Sequence, residues 1–169
     1  MGLPQSSPIS REEQRAIKAL STSFVNLTHV LVIHRLYHQG SMLHSIHYGK
    51  GELGKRGSSI CCNRDGTLER YGVIQKFCLC PSLPAVVLIR PFDASSTSLL
   101  KSIGNSGRDI LNTYANIDLL SAFFISVSKE LLHVTAVPVS QIVCKCVRVC
   151  CNNLSVDYIV KIPNNYEHH

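Results

Sequence analysis

The stretch 68–92, LERYGVIQKFCLCPSLPAVVLIRPF, constrains the fold more than any other part of the chain. It reads as a long strand, a proline-bracketed turn and a second strand. Tyr71, Val73, Phe77 and Leu79 alternate on one face, with Ile74, Cys78 and Cys80 on the other. Apolar residues on both faces suit a strand buried where a small sheet wraps on itself. The expected fold is therefore mainly β, an antiparallel barrel. Nothing in this stretch is a catalytic signature.

The flanking segments fit around it. Ser10 and Glu13 have the spacing of a capping box, and Ile17, Leu20 and Phe24 follow at helical spacing. A helix is expected over 11–24, docked outside the barrel. Residues 30–37 and 42–48 read as strands joined at Gln39-Gly40, and 58–62 as a short strand. Asn63-Arg-Asp-Gly66 supplies an Asp-Gly turn into the central strand. The region 29–92 is thus expected to be a meander of about five strands. Beyond a Ser-, Gly- and Asn-rich loop, helical spacing of Ile110, Leu111, Tyr114 and Ile117 suggests a short helical insertion over 109–120. Alternation at Phe123, Ile125 and Val127 then gives way to a turn at Lys129-Glu130, a strand over 131–137 and one helical turn over 138–142. A final hairpin pairs 143–151 with 154–162 across Asn152-Asn153. The division is an N-terminal arm and helix, residues 1–28, and a β-barrel domain, residues 29–166.

Length and composition limit the function classes. A chain of 169 residues fits one domain with an attached arm. The net charge of +6 and sequence pI near 9.0 favour acidic partners such as nucleic acid, or simply a solvated basic surface. No apolar run reaches membrane-spanning length, and MGLPQSSPIS lacks the apolar core of a secretory signal. Gly2 with Ser6 matches a myristoylation pattern, but Pro4 and the lack of other anchor features argue against it. No membrane role is expected. The eight cysteines are expected to be reduced thiols in the nucleus or cytoplasm.

Several chemistries fail on spacing. Cys78-x-Cys80 and Cys144-x-Cys146 are not the C-x2-4-C knuckles that usually bend around zinc. In strands each pair shares a face, about 7 Å apart. Four thiolates would converge only if the Cys78 strand lay beside the Cys144 strand. The plainer reading is small buried apolar side chains and no metal or other cofactor. His34 and His38 in a strand lie about 13 Å apart, too far to share one ion. No G-x-S-x-G elbow occurs. Gly49, Gly54 and Lys55 match part of a phosphate loop, yet Arg56 stands where magnesium binding needs Ser or Thr. No enzyme is expected.

What is left is a binding surface. From His29 to Cys80 there are seven Lys or Arg against three Asp or Glu. Lys50, Lys55 and Arg56 lie in a glycine-rich loop, with Arg64 and Arg70 expected near the same end and Tyr48 and Tyr71 beside them. Cations with nearby rings suit phosphate contact and base stacking. An exposed loop is also often charged merely because it is solvated.

YHQGSMLHSIHYGKGELGKRGSS, YGVIQKFCLC and VPVSQIVCKCVRV, taken in that order, resemble a β-rich C-terminal module of uncharacterised, partly transposon-derived animal proteins. The likeness runs over about 36–166. The ordering is also similar to an SH3-like or BAH-like barrel, in which a helical turn precedes the final strands. That resemblance implies a non-enzymatic interaction module whose partner is nucleic acid or a chromatin protein. Two alternatives stay open: a peptide-binding β domain that uses a sheet edge, and a Cys-rich zinc-binding domain.

Overall fold

A computed structural model describes residues 3–20, 27–48, 59–80, 84–94, 124–152 and 155–162. Its one helix among these residues, α1 (Arg11–Leu20), begins where the capping box places it. The Ser10 N–H donates to Glu13 Oε2 at 2.7 Å, and the Glu13 N–H donates to Ser10 Oγ at 3.2 Å. Two orphan donors of the first turn are thereby satisfied. Residues 21–26, the expected end of the helix, lie outside the described residues. Ala16 and Ile17 are buried against Val30, Val32, Cys78 and Leu88. Glu13 is nearly buried and pairs with Lys76 Nζ at 2.7 Å. Burial works against its charge, but the Lys76 ammonium and the Ser10 N–H outweigh it and hold the carboxyl below 4.5. Glu12 accepts the Val134 N–H at 2.9 Å. Ser10→Ala is expected to destabilise the fold by about 1 kcal/mol. A urea midpoint indistinguishable from the parent protein would show that the cap contributes nothing.

The rest of the described chain is mainly β. The strands are β1 (Gln5–Pro8), β2 (His29–Ile33), β3 (Arg35–His38), β4 (Ser41–His44), β5 (Ile60–Asp65), β6 (Leu68–Leu79), β7 (Val86–Ala94), β8 (Phe124–Leu131), β9 (Thr135–Pro138), β10 (Ile142–Val149) and β11 (Val156–Ile162). Nine of them form one antiparallel sheet, in the order β1-β2-β6-β5-β10-β11-β8-β7-β9. The long strand β6 gives the sheet its curvature. Along one edge it pairs first with β5, over 68–73, and then with β2, over 77–79; along the other it pairs with β7. Since β7 also pairs with β8, the ladder returns toward its start as a partial ring. The ladder is irregular between Phe92 and Ala94, where β7 meets β8.

Several local features differ from the sequence reading. The alternation along β6 breaks at Gln75. Ile74 pairs with Ile89, but Lys76 pairs with Leu88, so Gln75 is an extra residue. A bulge exchanges the faces of everything beyond it. Ile74 and Phe77 therefore share one core cluster, while Val73 and Cys78 go to two others. The region 29–92 is not a meander. The chain breaks at His34, β3 and β4 form their own two-stranded sheet, and β2 pairs with β6 across a long sequence gap. The Gln39-Gly40 turn has φ of 48° and 83°, the type I′ pattern. The β5–β6 turn is centred on Gly66-Thr67, one residue later than expected, with Gly66 at φ 61°. Lys129 and Glu130 lie inside β8 rather than in a turn. The helical turn before the last hairpin is present, as a 3-10 turn at Val139–Gln141. The expected helix over 109–120 lies outside the described residues. No described helix is long and apolar enough to cross a membrane.

Candidate functional site

The β3–β4 hairpin presents one face to the body of the protein; on the other, Tyr37 is exposed and Arg35, Met42 and His44 are half-buried. Its register pairs Arg35 with His44, Leu36 with Leu43, Tyr37 with Met42 and His38 with Ser41. Strand alternation turns Leu36, His38, Ser41 and Leu43 inward. Leu43 and Ser41 are buried, and Leu36 packs against the cluster around Ile74 and Phe77. Polar contacts fix the hairpin in place. His38 Nε2 donates to the Ile142 carbonyl at 3.2 Å, and the Ile46 N–H donates to the Ile74 carbonyl at 2.8 Å beside the β6 bulge. His34 Nδ1 and the Ser45 hydroxyl are 2.7 Å apart. Burial, then the neighbouring His47 and Lys76 charges, hold His34 below its ordinary value.

The outward face carries Arg35, Tyr37, Met42 and His44, and Tyr48 folds onto it from the following turn. Arg35 Nη1 donates to the Tyr48 hydroxyl at 3.0 Å, with its guanidinium 5.6 Å from the ring centroid. The His44 ring stacks on Tyr48 at 4.6 Å and 30°. The Tyr37 side is 52% exposed and Tyr48 is 41% exposed. No Asp or Glu occurs anywhere from Gln14 to Gly51. A rigid cation therefore lies among rings on a stretch with no anion of its own. That combination suits contact with a phosphate backbone and an unstacked base.

Of the seven residues singled out from sequence, four lie among the described residues: Tyr48, Arg64, Arg70 and Tyr71. Lys50, Lys55 and Arg56 lie outside the described residues, immediately beyond Tyr48 in the chain. Arg64 and Arg70 are exposed on the β5–β6 hairpin, where Glu69 and Asp65 sit 3.7 and 3.5 Å from them. Arg64 lines a cleft of about 410 Å³ with Gln39 and Gly66, at the turn end of β3–β4. Tyr48 sits near the opposite end of that hairpin, about 13 Å away by strand rise. Tyr71 is half-buried. Its hydroxyl donates to Glu69 at 3.0 Å and the Lys161 ammonium lies 5.9 Å from its ring centroid. Burial, then Cys62 and Glu69, push its phenol above the ordinary value. Arg35, Tyr37 and His44 were not singled out. The acid-free run 14–51 was the signal in the sequence that marks them.

The thiols do not converge as the zinc reading needed. β5 lies between β6 and β10, so the strand of Cys78 is not beside that of Cys144. Cys78 and Cys80 pack under α1, whereas Cys144 and Cys146 pack with Cys62. Burial pushes the Cys78 thiol up to about 12. Among the described residues no group of three or more His, Cys, Asp or Glu is arranged to hold a metal ion.

The two edges of the nine-stranded sheet, β1 and β9, are guarded against a partner strand. The Ile9 N–H donates to the Thr28 carbonyl, which makes residues 5, 7 and 9 the bonded positions of β1. Ser6 and Pro8 then face outward. At the other edge the Val139 N–H donates to the Ala85 carbonyl, so Ala136 and Pro138 face outward from β9. Each short edge strand thus places a proline, which has no N–H, where an added strand would need a donor.

A separate apolar cleft of about 300 Å³ opens between β6, β7 and β8, lined by Leu68, Tyr71, Phe92, Ile125, Val127 and Leu132. Leu68 is 63% exposed at its rim. No family model, no curated protein and no solved structure matches this chain.

Proposed function

We propose that the chain is a non-enzymatic intracellular interaction module, nuclear or cytoplasmic, that contacts nucleic acid through the outer face of the β3–β4 hairpin. The observation that carries the proposal is the Arg35–Tyr48–His44 stack on a stretch with no carboxylate. Lys50, Lys55 and Arg56 follow the hairpin closely in sequence and add three positive charges to that stretch of chain. Base-edge readout plays no part in this reading, because a two-stranded face with one arginine has little to offer a groove. Binding is therefore sequence-tolerant and salt-sensitive, with dissociation constants on the order of 10⁻⁴ to 10⁻⁶ M. We also read the partial ring as an SH3-like or BAH-like barrel. Its support is the pairing of β6 with both β5 and β7, and the 3-10 turn just before the β10–β11 hairpin.

The test is a fluorescence titration of single-stranded DNA and RNA at several salt concentrations. Changing Lys50, Lys55 and Arg56 to Glu is expected to weaken binding and flatten its salt slope. Tyr37→Ala is expected to cost about 1–3 kcal/mol if a base stacks there. Arg64→Ala with Arg70→Ala is expected to do less, since carboxylates already partner both. Unchanged affinity in the triple charge reversal and in Tyr37→Ala would remove the hairpin from consideration.

A second reading is a protein- or peptide-binding domain with no nucleic-acid role. It draws on the apolar cleft bounded by Leu68, Phe92 and Leu132. Guarded edges make a side-chain pocket the more accessible mode for such a partner than strand addition.

A further inference from the structure

Three thiols outside the proposed interface meet between β5 and β10. Cys62 and Cys144 are register partners on these antiparallel strands, and their side chains are hydrogen-bonded to one another. Cys146, two residues further along β10, is hydrogen-bonded to Cys144. All three belong to one core cluster. Directly opposed residues of an antiparallel pair have Cα atoms about 4.5–5.5 Å apart. A disulfide spans about 4.4–6.8 Å. Cys144 and Cys146, on one strand, stand about 6.8 Å apart with their Cβ atoms aligned in parallel, at the limit of that window. Cys62 and Cys146 are diagonal neighbours across the two strands, about 7–8 Å apart and beyond that window, so the geometry favours Cys62 with Cys144 among the three pairs.

We propose that Cys62 and Cys144 are a reversible oxidation site, closing to a cross-strand disulfide on reaction with hydrogen peroxide. Cys144 reacts first, being slightly exposed where Cys62 is fully buried. Its sulfur attacks one peroxide oxygen and the O–O bond breaks. The products are a sulfenic acid and water, the thiol proton leaving with the departing oxygen. The Cys62 sulfur then displaces the hydroxyl from the sulfenic sulfur, the S–S bond forms, and the Cys62 proton leaves in a second water. Two thiols lose two electrons and two protons, and the peroxide takes them up.

The surroundings set the rate. The hydrogen bond that the Cys144 thiol donates to Cys146, and then burial, push Cys144 up to about 11, and Cys62, which donates to Cys144, is raised as well. Glu69 opposes the Cys62 thiolate, while the Lys161 ammonium favours both thiolates. Oxidation is accordingly slow at neutral pH and faster as pH rises toward 11.

The test uses the full chain, freed of reductant and treated with hydrogen peroxide. Remaining thiols are alkylated under denaturing conditions before peptide mapping. The expected product joins the Cys62 peptide to the Cys144 peptide and is released by dithiothreitol. With Cys146 already changed to Ser, adding Cys62→Ser leaves the sulfenic acid on Cys144 with neither neighbouring thiol, so labelling there by dimedone should rise several-fold over Cys146→Ser alone. Absence of the joined peptide while circular dichroism shows an intact fold would overturn the proposal. So would equal dimedone labelling of Cys144 with and without Cys62 in the Cys146→Ser background.

Discussion

Gly72→Ala is expected to lower the stability of the domain by about 3 kcal/mol, the upper end of what forced overpacking does. Gly72 lies in β6 where that strand is paired on both sides, with Cys61 of β5 and Pro91 of β7. A Cβ built there meets Ile89 Cγ2 at 2.3 Å, the Arg90 carbonyl oxygen at 2.9 Å and Pro91 Cα at 3.0 Å. Two of those three atoms are backbone. Relief therefore requires β7 to move away from β6, and Ile89 is itself buried in the central cluster. A close approach of two strands, rather than an unusual φ, is what excludes a side chain here. Urea denaturation followed by far-UV circular dichroism measures the effect. A loss below about 1 kcal/mol would mean that β6 and β7 separate easily.

The second large effect is at Asp157. It is 2% exposed on β11 and accepts from Arg148 Nε at 2.7 Å and from the Cys151 N–H at 3.0 Å. Lys129 Nζ lies 4.0 Å away. Arg148 in turn holds its guanidinium 5.0 Å from the Phe92 ring centroid. Asp157→Ala removes the anion and leaves the arginine partly buried without it, so a loss of about 3–5 kcal/mol is expected. The same contacts set an acid limit. Burial disfavours the Asp157 carboxylate, but the Cys151 N–H, Arg148 and Lys129 outweigh it and hold its pKa below 3.8. A group depressed in the folded state stabilises fully above its unfolded value. That contribution is lost as pH falls from about 3.8 through the folded value. Asp157→Ala should therefore lose stability at neutral pH and show a shallower decline below pH 4, with Glu12, Glu13 and Glu69, each also held low, contributing to the decline that is left. An unaltered acid slope would show that Asp157 is not one of the groups that set it.

Local signals were the legible part of the fold. Ser10 and Glu13 mark the helix start, Gln39-Gly40 marks a type I′ turn, and the last hairpin falls where the alternation puts it. These depend on residues adjacent in the chain. The pairing of β2 with β6 depends on residues more than forty positions apart, from Leu31 to Leu79, and no period in the sequence encodes it. The bulge at Gln75 was hidden for a related reason. An apolar residue suits either face of a strand buried on both sides, so the pattern reads the same with or without the extra residue. Of the candidate site, Tyr48 was visible because it borders a basic loop. Arg35 and His44 meet only through the hairpin register, and their stack on Tyr48 follows from it. Arg64 and Arg70 looked free in sequence because their partners, Glu69 and Asp65, come close only across the Gly66 turn.

Main-chain pairing is the one contact a β protein can make without regard to sequence, since every extended segment carries the same N–H and C=O groups. With Pro8 and Pro138 on the outward positions of β1 and β9, the nine-stranded sheet withholds one main-chain donor at each of its two edges. Whatever binds it is then discriminated by side-chain chemistry. Replacing either proline with threonine would restore a donor at the rim and open the domain to indiscriminate association.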